Sequence, residues 1–272
     1  METLPLDILL HIIDLLTGRD DEDVKSLRIL SQVCKSMVPL CRKHLFSSLS
    51  LHNELNSERF SGLLLKNPDI ACYVRSLHYI VCLPISDHEL NILDILKKRS
   101  SLQSIELWSL EVEWNNLAES MRSSLVSLIQ LPTVTSLNIE SFKGFPSTAL
   151  SGCGNLIYLR LGELNLAPPE VNQVISRNKI PAPLSPIIIT KSLSDTYSLA
   201  SLLNSAGLHA DGPIVDFSRL QKADFQVNSR DDINQVNELI KVTTRLEYMK
   251  ILSERTGVVT CIFKLTERIF LK

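Results

Sequence analysis

Cys34, Cys41 and His44 fall close enough together to suggest a metal centre, since thiolate and imidazole are the donors zinc selects. No fourth ligand follows at the usual intervals, so core thiols and a surface histidine account for them. Glu111 and Glu113 form an acid pair of the kind used in general acid/base chemistry, but on a strand or loop edge such a pair is simply solvated. Gly152-Cys153-Gly154 begins like a phosphate cradle and lacks the third glycine and the helix a cradle needs. There is no GxSxG, no HExxH and no Cys/His arrangement with a local signature, and His11, His78, His88 and His209 are scattered. Catalysis, a metal and a cofactor are not expected. What stands out instead is binding chemistry: Trp108, Tyr158 and Arg160 offer the large, stiff or planar contact area that dominates protein interfaces.

The composition agrees with a folded chain. Of 272 residues, 44% are hydrophobic and 21% charged, enough for one extended domain or two compact ones. Lys+Arg (28) and Asp+Glu (30) nearly cancel, which excludes the clustered basic excess that a nucleic-acid backbone requires. The apolar run from Leu4 to Leu16 lacks a basic leader and is broken by Asp7, His11 and Asp14, so it reads as neither a signal peptide nor a membrane span. Six scattered cysteines without CxxC pairs are expected to be buried free thiols in a reducing compartment. Together these point to a cytoplasmic or nuclear protein.

The elements that must position any binding surface begin with three short helices in residues 1–45. Apolar residues fill nearly every position from Leu6 to Leu16, leaving one narrow polar stripe of Asp7, His11 and Asp14. The acidic stretch Asp20 to Asp23 complements the N-terminal dipole of a second helix with apolar positions Val24, Leu27, Leu30 and Val33. Pro39 marks the first turn of a third, which contains Leu40, Cys41, His44 and Leu45. So small a unit cannot cover all of Leu6, Ile8, Leu9, Leu10, Ile12, Ile13, Leu15 and Leu16. If three of these side chains stay exposed, covering them contributes on the order of 5 to 9 kcal/mol before association costs, at roughly 1.5 to 3 kcal/mol each.

Leu4-Pro5, Ile8, Ile12 and Leu16, followed by Leu27, Leu30, Val33-Cys34 and Lys35, resemble the F-box pattern. The segment Lys43 to Leu51, KHLFSSLSL, is similar to the large F-box-like families of mushroom-forming fungi. The resemblance implies docking of a Skp-type adaptor, and through it a cullin, by Leu4, Pro5, Ile8, Leu9, Ile12, Leu16, Leu27, Leu30, Val33 and Cys34. On the residues alone a second reading stays open, in which the helices cap the hydrophobic edge of a repeat array, as terminal units of such arrays require.

From Phe46 onward an apolar register Φ-x-x-Φ-x-Φ recurs. Its copies are Phe46/Leu49/Leu51, Val74/Leu77/Tyr79, Leu102/Ile105/Leu107, Val134/Leu137/Ile139, Leu156/Leu159/Leu161, Leu184/Ile187/Ile189, Leu220/Ala223/Phe225 and Leu246/Met249/Ile251, about 29 residues apart. Helix signals separate them: a capping box at Ser86 and Glu89, an apolar face Leu117/Met121/Leu125/Leu128, and a segment bracketed by Ser194 and Gly207. The expected fold is α/β: a three-helix F-box-like module over 1–45, then over 46–272 a curved strand-helix solenoid of irregular leucine-rich-repeat-like units. A doubly wound sheet is the competing architecture. The last twenty residues fit no copy cleanly, as a terminal strand, a cap or the edge of a longer array.

Strand alternation puts the residues flanking the apolar positions on one concave face. That face takes His78, Ile80, Ser104, Glu106, Trp108, Asn138, Glu140, Tyr158, Arg160, Lys222, Asp224, Gln226, Tyr248 and Lys250. Glu106, Trp108, Asn138, Glu140, Tyr158 and Arg160 are the expected binding set, although Trp108 and Tyr158 could equally shield the sheet. The function expected is a non-catalytic substrate-recognition adaptor of a cullin-based SCF-type ubiquitin ligase, holding a protein target on the concave face. A protein-binding scaffold with a helical cap and no ligase role is the alternative, and a small-molecule enzyme on a doubly wound sheet is the third.

Overall fold

The computed structural model describes residues 5–16, 21–33, 35–110, 112–162, 164, 166–167, 188–192, 217–227, 230–253 and 261–264. Helices α1 (Leu6–Leu15), α2 (Asp21–Val33) and α3 (Met37–Leu45) open the chain. Their interior is small: Ile13, Leu27, Met37 and Cys41 are buried, with Leu9, Leu16, Leu30, Leu40 and Leu45 packed around them. A second, far larger apolar cluster begins at Phe46 and Leu49, so the two interiors change over between Leu45 and Phe46.

Behind the helices lies a mixed α/β structure. Strands β1 (Ser48–Leu51), β2 (Ser76–Val81), β3 (Ser104–Ser109) and β4 (Ser136–Glu140) are followed by a two-residue strand β5 (Phe145–Pro146) and by β6 (Tyr158–Gly162). After β7 (Leu166–Ala167) come β8 (Ile188–Ser192), β9 (Lys222–Val227), β10 (Tyr248–Ser253) and β11 (Cys261–Lys264). One nine-stranded sheet takes them in the order β1-β2-β3-β4-β6-β8-β9-β10-β11, and β5 pairs with β7 separately. Neighbours from β1 to β10 are parallel, and β11 returns antiparallel on β10. The strand order is the chain order and does not reverse among the described strands, whereas a doubly wound sheet reverses at its switch point.

Four of the units start the same way. Val74, Val134, Leu156 and Leu220 donate a backbone N–H three residues back, closing a turn just before the strand. The carbonyls of Ser47, Arg75, Gln103, Thr135 and Gln221 then each accept two successive N–H groups from the next strand. This doubled bond repeats the register at five crossings and satisfies the polar backbone at the strand entrances.

Alternation does the rest. In β2 and β3 every second residue is buried, giving Leu77, Tyr79 and Val81, then Ile105, Leu107 and Ser109. These meet α4 (Glu54–Lys66), α5 (Asp87–Arg99) and α6 (Glu119–Ile129), which lie side by side and bury Leu64, Ile92, Leu93, Leu96, Met121, Leu125 and Leu128 in the same cluster. A further helix, α7 (Arg230–Val242), contributes Val236 and Leu239. Asn53 caps α4 by accepting from Asn56 N–H at 2.9 Å, and Ser86 and Glu89 close the expected capping box at the start of α5. Trp114, Phe142 and Phe145 fill the turn side of the β3–β4 region with edge-to-face contacts of 4.8 to 6.1 Å between centroids.

Several expectations need correction. The sixth apolar copy is displaced by two residues: Leu159 and Ala223 pair with Ile189, not with Ile187, so Lys191 takes the place expected for Ile189. The run Ile187, Ile188, Ile189 has no alternation to choose between frames, and a two-residue shift keeps the same faces. Helix α6 begins at Glu119, so Leu117 precedes it, buried in the turn. Cys41 and Cys153 are buried, but Cys72 is exposed and Cys82 only partly covered. The segment from Ser194 to Gly207 lies outside the described residues, as do Leu184, Ile187 and His209.

Candidate functional site

Helices α4 to α6 pack on one face of the sheet, and on the other parallel pairing lines the side chains up in rows. The first row is Ser48, Ser76, Ser104 and Ser136, continued by Tyr158: four small hydroxyls, then an aromatic ring. The second row is Ser50, His78, Glu106, Asn138 and Arg160, and after β8 it resumes at Asp224 and Lys250. The third is Ile80, Trp108, Glu140 and Gly162. All six residues of the expected binding set therefore stand on adjacent strands of one face, within about 15 Å along the sheet at ~4.8 Å per strand.

Their environments differ. Trp108 is 39% exposed and Arg160 also faces solvent, whereas Asn138 is 7% exposed and Glu140 is largely covered. Arg160 Nε stands 3.1 Å from Glu140 Oε1, an ion pair whose N–H is not aimed closely enough for a hydrogen bond. Room for Glu140 comes from Gly162, where a Cβ would meet Glu140 Cγ at 2.9 Å. At the β1 end His52, His78 and Trp108 form a chain of edge-to-face rings with centroids 5.0 and 6.0 Å apart. Although His52 is exposed overall, the cover it does have, and then the neighbouring His78, lower its pKa from the usual histidine value. His78 Nε2, Asn138 Oδ1 and Asp224 Oδ1 are buried with no hydrogen-bond partner, and all three belong to the second row.

No family model, curated protein or solved structure matches the chain.

The helical surface is a second candidate. Ile8 (44%), Ile12 (38%) and Leu15 (69%) recur along one side of α1, and Ile29 (65%) and Val33 (70%) along one side of α2, all exposed. Pro5 is exposed at the start of α1. Leu9, Leu16 and Leu30 are partly buried against the small core, and Leu27, at 3%, is wholly inside it. Leu27 is thus a packing residue with no surface to offer, a correction to the expected docking set. Leu4 and Cys34 lie outside the described residues.

The remaining candidates separate. Cys41 is buried, His44 Nε2 sits 3.6 Å from Asp14 Oδ1, and among the described residues no group of three or more His, Cys, Asp or Glu could hold a metal ion. Glu113 is exposed and its backbone pairs with that of Lys143, while Glu111 lies outside the described residues. Gly152 ends a short turn and Cys153 is buried, its thiol donating to the Ile129 carbonyl at 3.3 Å. Among the described residues no helix is long and apolar enough to cross a membrane.

Sequence reading overlooked His52, Gly162 and most of the serine row. The spacing held the signal: His52 precedes Ile80 by the same 28 residues that separate Ser48 from Ser76 and Ser76 from Ser104.

Proposed function

We propose that this chain is a non-catalytic recognition subunit: an F-box-like helical module that docks a Skp-type adaptor, and through it a cullin, joined to a leucine-rich-repeat-like solenoid that captures a protein for ubiquitylation. The observation that carries the reading is the apolar exposure of α1 and α2, where Ile8, Ile12, Leu15, Ile29 and Val33 all face solvent around a core of four buried residues. Large exposed apolar surface on so small a unit favours association with a partner. Support for the solenoid comes from the parallel sheet in chain order with its repeated doubled backbone bond, a geometry in which each unit covers only its neighbours. Ligase chemistry then belongs to the partner subunits, and the setting is cytoplasmic or nuclear.

The scaffold reading draws on a different observation: α3 lies against the turn Pro68–Tyr73 of the first unit, as an end cap would. Pull-down separates the two. Wild-type chain retains a Skp-type adaptor, and Ile8→Asp combined with Ile12→Asp loses it while keeping native circular dichroism. Wild type that captures no such adaptor when the two are co-expressed would favour the scaffold.

A further inference from the structure

We propose that the sheet face opposite α4 to α6 holds a subsite for an arginine side chain of an extended peptide segment, formed by Glu106, Asn138 and Trp108; the inference deepens the capture role above and rests on it. The local charge is unbalanced. Glu106 on β3 and Glu140 on β4 lie diagonally across the two strands, since Glu106 pairs with Asn138 and Glu140 with Trp108; His78 stands opposite Glu106 on β2, and Arg160, the one Lys or Arg on β3, β4 and β6, is already paired with Glu140 at 3.1 Å. Glu106 has no basic partner among the described residues. Lys222 and Lys250 stand four and five strands further on, roughly 19 and 24 Å along the sheet, beyond the reach of a screened surface charge. Among the described residues the cluster lacks a lysine or arginine for Glu106.

A second, independent observation lies directly beside Glu106 in the row. Asn138 is more than nine-tenths buried, and its Oδ1 has no hydrogen-bond partner, a cost that a donor from outside would remove. Two residues along β3 from Glu106, on the same face, Trp108 leaves 39% of its surface open, with His78 against its edge. A carboxylate, an orphan acceptor and an open indole on neighbouring strands match the guanidinium group: planar, permanently charged, with five donors in a fork and a flat face that stacks on aromatics. An ammonium could neutralise Glu106, but it has no flat face for the indole. The serine row alongside is low enough to admit an extended backbone.

Trp108 supplies its own readout, because the only other tryptophan, Trp114, is 4% exposed. The full chain is titrated with the capped pentapeptide Ser-Ser-Arg-Ser-Ser, and with versions carrying Gln or Asp in place of Arg, while indole emission is followed. The expected result is a saturable change with the arginine peptide and binding about tenfold weaker with glutamine. Glu106→Gln should abolish that preference, Asn138→Asp should strengthen it by adding a second carboxylate, and Trp108→Phe should remove the signal. Equal binding of the Arg and Gln peptides, tighter binding of the Asp peptide, or no arginine response up to millimolar peptide would overturn the subsite. Binding of the Gln or Asp peptide would leave capture on this face standing, and adaptor retention through α1, measured on the same preparation, reports the wider reading separately.

Discussion

Gly162 gives Glu140 the space to reach Arg160: the position a Cβ would take on Gly162 is 2.9 Å from Glu140 Cγ and 3.2 Å from Cδ. Without that gap the carboxylate cannot lie flat across the neighbouring strand, and its ion pair with Arg160 loses its geometry. Gly162→Ala is therefore expected to destabilise the chain by about 1 to 2 kcal/mol through local overpacking, read from urea denaturation. Glu140→Ser should recover most of the loss in the double variant, and equal losses in single and double variants would show that the two residues are not coupled.

The helical module should respond in opposite ways at two of its leucine-like positions. Leu27→Ala opens a cavity in a core of four buried residues and should cost about 2 to 5 kcal/mol, enough to abolish amide protection across α1 to α3. Ile8→Asp changes a side chain that already faces water and should stay within about 0.5 kcal/mol of wild type. Hydrogen exchange over residues 5–45 tests both, and equal loss of protection in the two variants would mean that Ile8 is covered by the chain itself.

Thiol chemistry should sort the cysteines by burial. Burial pushes the Cys153 thiol up to about 12, so near pH 8 only about one molecule in ten thousand carries the reactive thiolate there. Cys72 is exposed. Iodoacetamide treatment of native protein followed by peptide mass spectrometry should find Cys72 modified and Cys153 untouched until denaturant is added. Labelling of Cys153 at the rate of Cys72 would contradict the packing around it.

Acidification should weaken the fold partly through His52. Its pKa is lowered in the folded chain, so as pH falls below about 6.5 the unfolded state takes up the proton first. The stability tied to neutral His52 is thus complete above that pH and declines as pH drops toward the folded value. Urea midpoints near pH 7.5 and about pH 5.5 should differ less in His52→Gln than in wild type. An unchanged difference would show that neither the partial cover over His52 nor its contact with His78 carries such a penalty.

Much of this molecule was legible as spacing. Two-residue alternation around Leu49, Leu77, Ile105, Leu137 and Leu159 identified strands and assigned their faces, because a strand's side chains have no other choice once one face is buried. The same arithmetic puts Glu106, Trp108, Asn138, Glu140, Tyr158 and Arg160 on a single surface. It left the pairing frame open at Ile187 to Ile189, where a shift of two residues keeps the same faces and only pairing with Leu159 and Ala223 selects the frame.

What the tertiary structure alone decided is how much of each side chain its neighbours cover. Leu27 and Val33 are both apolar positions of α2, yet Leu27 is enclosed with Ile13, Met37 and Cys41 while Val33, at the end of the helix, is 70% exposed. Asn138 and Glu106 occupy equivalent places on adjacent strands, and only Asn138 is enclosed, its acceptor left without a donor. Local sequence carries the direction in which a residue points; coverage depends on the size of residues across the strand and in the next element, which arrive from distant parts of the chain.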